Sequence, residues 1–252
     1  MKTELITMTT NPIATVAAAA RRCYSGLGNS EMFDFMAGKL EKDAEYLENF
    51  IRKVLASGHE GILEHASFTF AIEGVSRALS HQFVRHRIAS YSQQSQRYVE
   101  NAFGGQWYVV PESIGAKPEA IELYIKLMEG IAQGYGSLLE MGIPKEDARY
   151  VLPNATETKI VVTMNARTLL HFFRLRCCNR AQMEIRLMAE EMLKAVKGVA
   201  GVLFEKGGAP CEYGKCPEGA MSCGNSKRRQ NALEGGGAVS HSGFPFGGGR
   251  FA

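Results

Sequence analysis

No stretch of the 252 residues holds the roughly 20 consecutive apolar residues that a membrane-spanning helix needs. The opening MKTELITMTT also lacks the charged-then-apolar layout of a secretory signal. Both absences lead us to expect a cytoplasmic protein with no membrane partner. Excess charge of one sign is missing as well: 29 Lys+Arg stand against 26 Asp+Glu, a formal balance of +3. That is too mild for net charge to mark a nucleic-acid binder, so any basic function has to be local. The six cysteines lack the even spacing of a disulfide framework, since Cys177 and Cys178 are adjacent and Cys211, Cys216 and Cys223 cluster late. They are therefore expected to be thiols or metal ligands. There is no internal repeat and no regular βαβ alternation, which excludes solenoids and doubly wound sheets.

What is there is a chain long enough to bury a sizeable core, with 45% hydrophobic residues and one main domain as the default. After a short strand-like opening, Asn11 followed by Pro12 predicts a helix start, and the alanine-rich run carries that helix to about Cys23. Residues 30–55 place Leu40, Ala44, Leu47, Phe50, Ile51, Val54 and Leu55 at helical spacing before Gly58 stops them. Phe68, Phe70 and Ile72 alternate with polar residues as in a half-buried strand. Ser76 can cap a short helix to about Val84, and strand-like residues resume at Tyr98–Val99 and Trp107–Val110. A long amphipathic helix is predicted through Ile121, Tyr124, Met128, Tyr135 and Leu139. Lys159–Thr163 reads as a buried strand, Asn165 caps a helix to about Arg176, and Gln182–Phe204 forms another. This order predicts an α+β fold in which helices surround a central antiparallel-type sheet. From Gly224 the Gly- and Ser-rich chain predicts a disordered tail.

Between Val84 and Tyr98 lies an unusual run, Arg85-His86-Arg87-Ile88-Ala89-Ser90-Tyr91-Ser92-Gln93-Gln94-Ser95-Gln96-Arg97. Arginine offers bidentate charge-assisted bonds to phosphate, while Ser and Gln read carbonyls and amides, so the mixture suits a nucleotide. Composition alone favours a solvated basic loop. The spacing changes that reading, because Arg-His-Arg, seven residues, then Ser95 is the RHR(x)7S pattern, and the chain resembles the flavin-dependent thymidylate synthases. The resemblance continues through His59-Glu60-Gly61-Ile62-Leu63-Glu64-His65, Gln82-Phe83-Val84, Ala148-Arg149-Tyr150-Val151-Leu152-Pro153, Asn165-Ala166-Arg167 and Leu175-Arg176. It covers roughly residues 1–206, leaving 207–223 as a Cys-containing segment and 224–252 as the tail.

That resemblance implies a homotetramer with FAD bound where subunits meet, dUMP as substrate, and NADPH and 5,10-methylenetetrahydrofolate as co-substrates. Flavin contacts would come from Gly61, Arg85, His86, Arg87, Ile88 and Gln93, with Asn165, Arg167 and His171 reaching it from a neighbouring subunit. The nucleotide would be held by Gln82, Phe83, Val84, Arg85, Gln93, Gln94, Ser95, Gln96, Arg97, Arg149 and Arg176, with Arg176 also polarising the uracil. His59 and Glu64 would line the folate side. The chain departs from the commonest family pattern at Gly61, often Ser or Thr, at Met183, usually Trp, and at His171, Asn in some members.

Other readings of these residues remain open in the sequence. Ser95 could be a nucleophile, but no Asp-His relay is placed to activate it. Arg176 could simply complement a helix dipole. Cys211, Cys216 and Cys223 could bind zinc with Cys177, Cys178 or His241 as a fourth ligand, although the spacing is unusual and we assign no metal. A non-catalytic RNA- or nucleotide-binding module would use the same cationic run with Tyr91 and Tyr98 as stacking platforms.

Overall fold

A computed structural model describes residues 1–99 and 107–225. Four strands, β1 (Lys2–Met8), β2 (Ser67–Ser76), β3 (Ala89–Gln93) and β4 (Glu157–Asn165), form an antiparallel sheet in the order β1-β2-β4-β3. The period-two pattern of β2 sets its register. Phe68, Phe70 and Ile72 are fully buried and lie opposite Met164, Val162 and Ile160 of β4, so the two strands present one continuous apolar face. Each such side chain contributes about 1.5–3 kcal/mol on burial, and slipping the register by one residue would turn the whole row outward. A bulge after Ile72 is made at Gly74, whose φ of 70° suits glycine.

Helices α1 (Pro12–Arg22), α2 (Asn29–Lys42) and α3 (Ala44–Ala56) extend the same core, and α4 (Arg77–Phe83) and two later helices pack on the sheet. After two short helical turns and one long helix, α5 (Glu112–Gly115), α6 (Pro118–Glu140) and α7 (Lys145–Ala148), come α8 (Ala166–Arg176) and α9 (Met183–Ala200). Leu169, Phe172 and Phe173 of α8 and Ile185, Met188, Ala189, Met192 and Val196 of α9 fill the core at helical spacing. Asn165 caps α8 as expected, its Oδ1 accepting from Thr168 N at 2.8 Å.

The structure corrects several expectations. Asn11 does occupy the cap position of α1 with Pro12 next, but its φ is 47° and its side chain makes no capping bond. The apolar pattern over 30–55 is split at Asp43, which leaves helical geometry and accepts from Tyr46 N at 3.0 Å to start α3. The helix expected to Phe204 ends at Ala200, and Gly201–Phe204 is a 3-10 turn. Tyr98–Val99 forms no strand, and Trp107–Val110 contributes one isolated bridge, Tyr108 to Thr156. Conversely β3 falls inside the run we read as a polar cationic segment. Its side chains are mostly polar, and only pairing with β4 makes it a strand.

The amphipathic α6 buries only Met128 and Tyr135, leaving Leu123 and Leu127 more than half exposed. No helix among the described residues is long and apolar enough to cross a membrane. After α9, residues 207–225 fold back on the α8–α9 junction. Tyr213 Oη donates to Gly207 O at 2.6 Å, and Arg180 reaches the carbonyl of Met221 and, at 3.6 Å, the carboxylate of Glu218. Cys211 is buried there, yet among the described residues no three His, Cys, Asp or Glu side chains are grouped to hold a metal ion. His241 and most of the tail lie outside the described residues.

Candidate functional site

The site is assembled on the elements that follow β2 and β4. Helix α4 starts at Ser76, whose Oγ accepts from Leu79 N at 3.0 Å. Both carboxylate oxygens of Glu184, from the first turn of α9, accept from Ser76, one from its N and one from its Oγ, each at 2.6 Å. Two charge-assisted bonds of this length fix where α4 begins and hence where Gln82 and Arg85–Arg87 fall. Sequence reasoning missed Glu184, because only the fold brings it 108 positions back to the start of α4.

Beyond α4, Arg85 and Arg87 are exposed while His86 between them is 7% exposed. The imidazole stands edge-on to Phe172, ring centroids 4.9 Å apart, and its Nε2 accepts from Arg176 Nε at 2.9 Å. Burial, then the charge of Arg176, then His171, lower the His86 pKa from 6.5 to about 4. Arg176 Nη1 lies 3.5 Å from Gln82 Oε1, a weak contact. Arg176 thus turns from its helix terminus to two neutral acceptors, and burial lowers its own pKa. No carboxylate lies within ion-pair distance of it among the described residues. Cys177 next to it is 1% exposed and belongs to the core, and Cys178 is half-buried.

Ile88 follows with φ of 66° and 81% exposure. A β-branched residue in the left-handed region costs on the order of 1–3 kcal/mol, and such strain gathers at ligand sites. Its carbonyl faces Thr168 Oγ1 at 3.4 Å. Phe83 is fully buried against Phe172 and Tyr91, so it supports the site from beneath, while Val84 is exposed. Tyr91 Oη is shared between the carbonyls of Phe83 and His86, each at 2.9 Å.

A second cluster lies where β3 ends. Gln94, Ser95 and Gln96 line a small pocket with Val99, Glu157 and Thr158, and Gln93 Nε2 donates to Thr158 Oγ1 at 3.1 Å. Ser95 Oγ accepts from Arg97 N at 3.2 Å, and among the described residues no histidine bonds it, so nothing there activates it as a nucleophile. Arg97 pairs with Glu146 at 2.8 Å across exposed surface, and Arg149 Nε donates to Glu146 O at 3.1 Å. The first residue of α4, Arg77, joins this cluster. Its Nη1 lies 3.5 Å from Gln94 O, and burial and then the nearby Arg149 lower its pKa. Among the described residues it has no acidic partner. Sequence reasoning missed it too, because position 77 reads only as the residue after a cap.

The third group lies where the start of α8 meets residues 60–65. Arg167 Nη1 meets Glu64 Oε1 at 2.5 Å, with Glu60 at 3.9 Å. His59, Gly61, His65 and His171 are exposed. A Cβ added to Gly61 would meet nothing within 4 Å, so the bare glycine is not demanded by packing within the chain. Arg85, Arg87 and Arg174 are exposed cations with no acidic partner among the described residues. Their chemistry suits a polyanion such as a dinucleotide pyrophosphate. Among the described residues no hydrogen bond or ion pair joins the cluster of Gln82, His86 and Arg176 to that of Arg77, Ser95, Arg97 and Arg149.

Residues 4–201 match the family described as Thymidylate synthase complementing protein. The chain is 52% identical over 226 residues to a flavin-dependent thymidylate synthase of Geobacter sulfurreducens, covering 90% of this chain and 95% of the relative. It is 48% identical over 242 residues to one of Clostridium tetani, covering 90% and 94%. A similar solved structure is that of a UMP/dUMP methylase, PolB, from Streptomyces cacaoi bound with 5-Br dUMP. Its TM-score is 0.66 at 26% identity, covering 81% of this chain and 93% of that one.

Proposed function

The chain belongs to the thymidylate synthase complementing protein family, and on that premise we propose that it is a flavin-dependent thymidylate synthase. It converts dUMP to dTMP, with FAD as cofactor and with 5,10-methylenetetrahydrofolate and NADPH as co-substrates. The observation that carries the reading within this chain is Arg176, a partly desolvated cation whose side-chain partners among the described residues are the neutral acceptors His86 and Gln82. Its charge is left for a ligand. A cation so placed at the uracil favours the polarised pyrimidine, an electrostatic effect of a few kcal/mol when aimed at developing charge.

The remaining assignments are inferences of the same reading. The nucleotide phosphate is taken by Arg77, Arg97, Arg149 and Ser95, with Gln94 and Gln96 beside them. The flavin is taken by Arg85, Arg87, Ile88 and Gln93, and by Asn165, Arg167 and His171 of a neighbouring subunit, with His59 and Glu64 on the folate side. When bound, the flavin supplies the redox chemistry and the folate the carbon, while the chain's own residues bind, orient and exclude water. Because no hydrogen bond or ion pair joins the Arg176 and Ser95 clusters among the described residues, a second copy completing the site is the economical arrangement, and the exposed Leu123 and Leu127 of α6 support self-association. We infer a homotetramer, with residues 1–206 as its catalytic unit, 207–223 as a brace on α8–α9, and the remainder as a dispensable tail. The RNA-binding alternative is not favoured, since Tyr91 is committed to internal hydrogen bonds and packing on Phe83.

The test is to purify the full chain, record its visible spectrum and oligomeric mass, and assay dTMP formation from dUMP, methylenetetrahydrofolate and NADPH. A yellow tetramer that forms dTMP is expected. A colourless protein that forms none after FAD is added would overturn the proposal.

A further inference from the structure

An arginine N–H can only donate, so the 2.9 Å contact between Arg176 Nε and His86 Nε2 requires a lone pair on that imidazole nitrogen and places the proton on Nδ1. Both the ring and its backbone are held. Phe172 of α8 packs against it edge-on, and His171 of the same helix lies 6.3 Å away between ring centroids. From α4, the carbonyl of Phe83 accepts from His86 N at 3.1 Å. From β3, Tyr91 Oη donates to the carbonyl of His86. An imidazole held in this way is poorly placed to swing out to a flavin, the contact that the family resemblance implies for it. Its flanking residues behave differently: Arg85 and Arg87 point to the surface, as ligand-binding cations should.

Resting on the reading of Arg176 as the uracil-facing cation, we propose that His86 is a positioning residue for the nucleotide step: its Nε2 holds the guanidinium of Arg176 in the orientation in which the remaining N–H groups face dUMP. Gln82 completes the hold through its side-chain carbonyl. Both acceptors are neutral, so they fix the direction of the cation without cancelling its charge, which a carboxylate in the same place would do. Burial keeps His86 uncharged at neutral pH, and protonating it would set a second cation against Arg176.

The test is a double-variant cycle on the full-length holoenzyme with His86→Phe, Arg176→Ala and the pair combined, plus His86→Gln as the conservative variant. Phenylalanine keeps an aromatic ring against Phe172 and removes the acceptor, whereas the glutamine amide restores an acceptor at similar reach. Bound FAD is read from the visible spectrum, and kcat and KM for dUMP are measured separately per mole of flavin. His86→Phe is expected to retain FAD within about twofold and to lose at least about tenfold in kcat/KM for dUMP. The combined variant should be no worse than Arg176→Ala by more than about twofold, because the histidine acts through the arginine. His86→Gln should recover at least about a third of the lost kcat/KM, and it also carries the test if His86→Phe does not fold, since it must then stay within about fivefold of the parent. Loss of flavin with unchanged kcat/KM per bound flavin, or multiplicative losses in the combined variant, would overturn the positioning role alone. Undiminished dUMP turnover in Arg176→Ala would overturn the assignment of Arg176 itself, and the inference with it.

Discussion

Arg77 gives the sharpest separation between a ligand-binding and a structural role, because the two make opposite predictions for stability. Its guanidinium is partly buried beside Arg149, has no acidic partner among the described residues, and makes a weak hydrogen bond to Gln94 O at 3.5 Å. A cation desolvated without compensation weakens the ligand-free protein, and truncating it should relieve that cost. In Arg77→Met the unbranched stem preserves packing while the charge goes. The ligand-free variant should therefore be as stable as the parent or more stable by about 0.5–1 kcal/mol, a rise of roughly 1–4 °C in Tm for a chain of this length. Binding should move the other way. A charge-assisted hydrogen bond is worth about 1.5–3 kcal/mol, so losing one to the phosphate raises the KM for dUMP by roughly 10- to 150-fold. The phosphate is the same in substrate and product, so this is uniform binding and kcat should change little. Initial rates against dUMP concentration, with melting curves with and without dUMP, measure both effects, since saturating dUMP raises the Tm of the parent and should lose most of that effect in the variant. An unchanged KM together with a Tm lowered by several degrees would refute the argument and make Arg77 a structural residue.

Three further outcomes follow from the geometry around Arg176 and His86. Cys177 is buried in the core and Cys178 is half-buried, so Cys177→Ala with Cys178→Ala should keep dTMP formation within about threefold while costing about 1–2 kcal/mol in stability. Arg176→Ala, in contrast, should lose on the order of a hundredfold or more in turnover with FAD retained. An inactive cysteine variant that folds and binds both ligands would point to a cysteine nucleophile. In the pH dependence, His86 titrates at about 4 in the folded chain against 6.5 unfolded. Below 6.5 the unfolded chain takes up the proton first, so stability is lost as pH falls from about 6.5 towards 4. The loss is about 2 kcal/mol after allowance for solvent screening, and denaturant melts of His86→Phe should lack that part of the pH dependence.

The sequence by itself determined whatever depends on neighbours along the chain. The alternation of Phe68, Phe70 and Ile72 marked β2 and its buried face. The Ser76 and Asn165 caps marked where α4 and α8 begin, and the RHR(x)7S spacing marked the cationic run and the family it resembles. Each of these is a local regularity, set by the period of a strand or helix or by one side chain bonding a backbone amide three residues on. The tertiary structure alone decided what depends on residues far apart. β3 is a strand only because β4 offers it a ladder, since Ala-Ser-Tyr-Ser-Gln has no apolar alternation of its own. His86 is buried between two exposed arginines because α8 lays Phe172 and Arg176 against it, 86 and 90 positions on from the motif. Glu184 holds Ser76, the cap of α4, from 108 positions on, and Arg77 becomes a partly buried cation only when β3 brings Gln94 back beside it. Such contacts arise from chain reversals whose closure leaves no periodic trace in the sequence, so the residues that hold Arg176 in place could not be read from the motif that surrounds them.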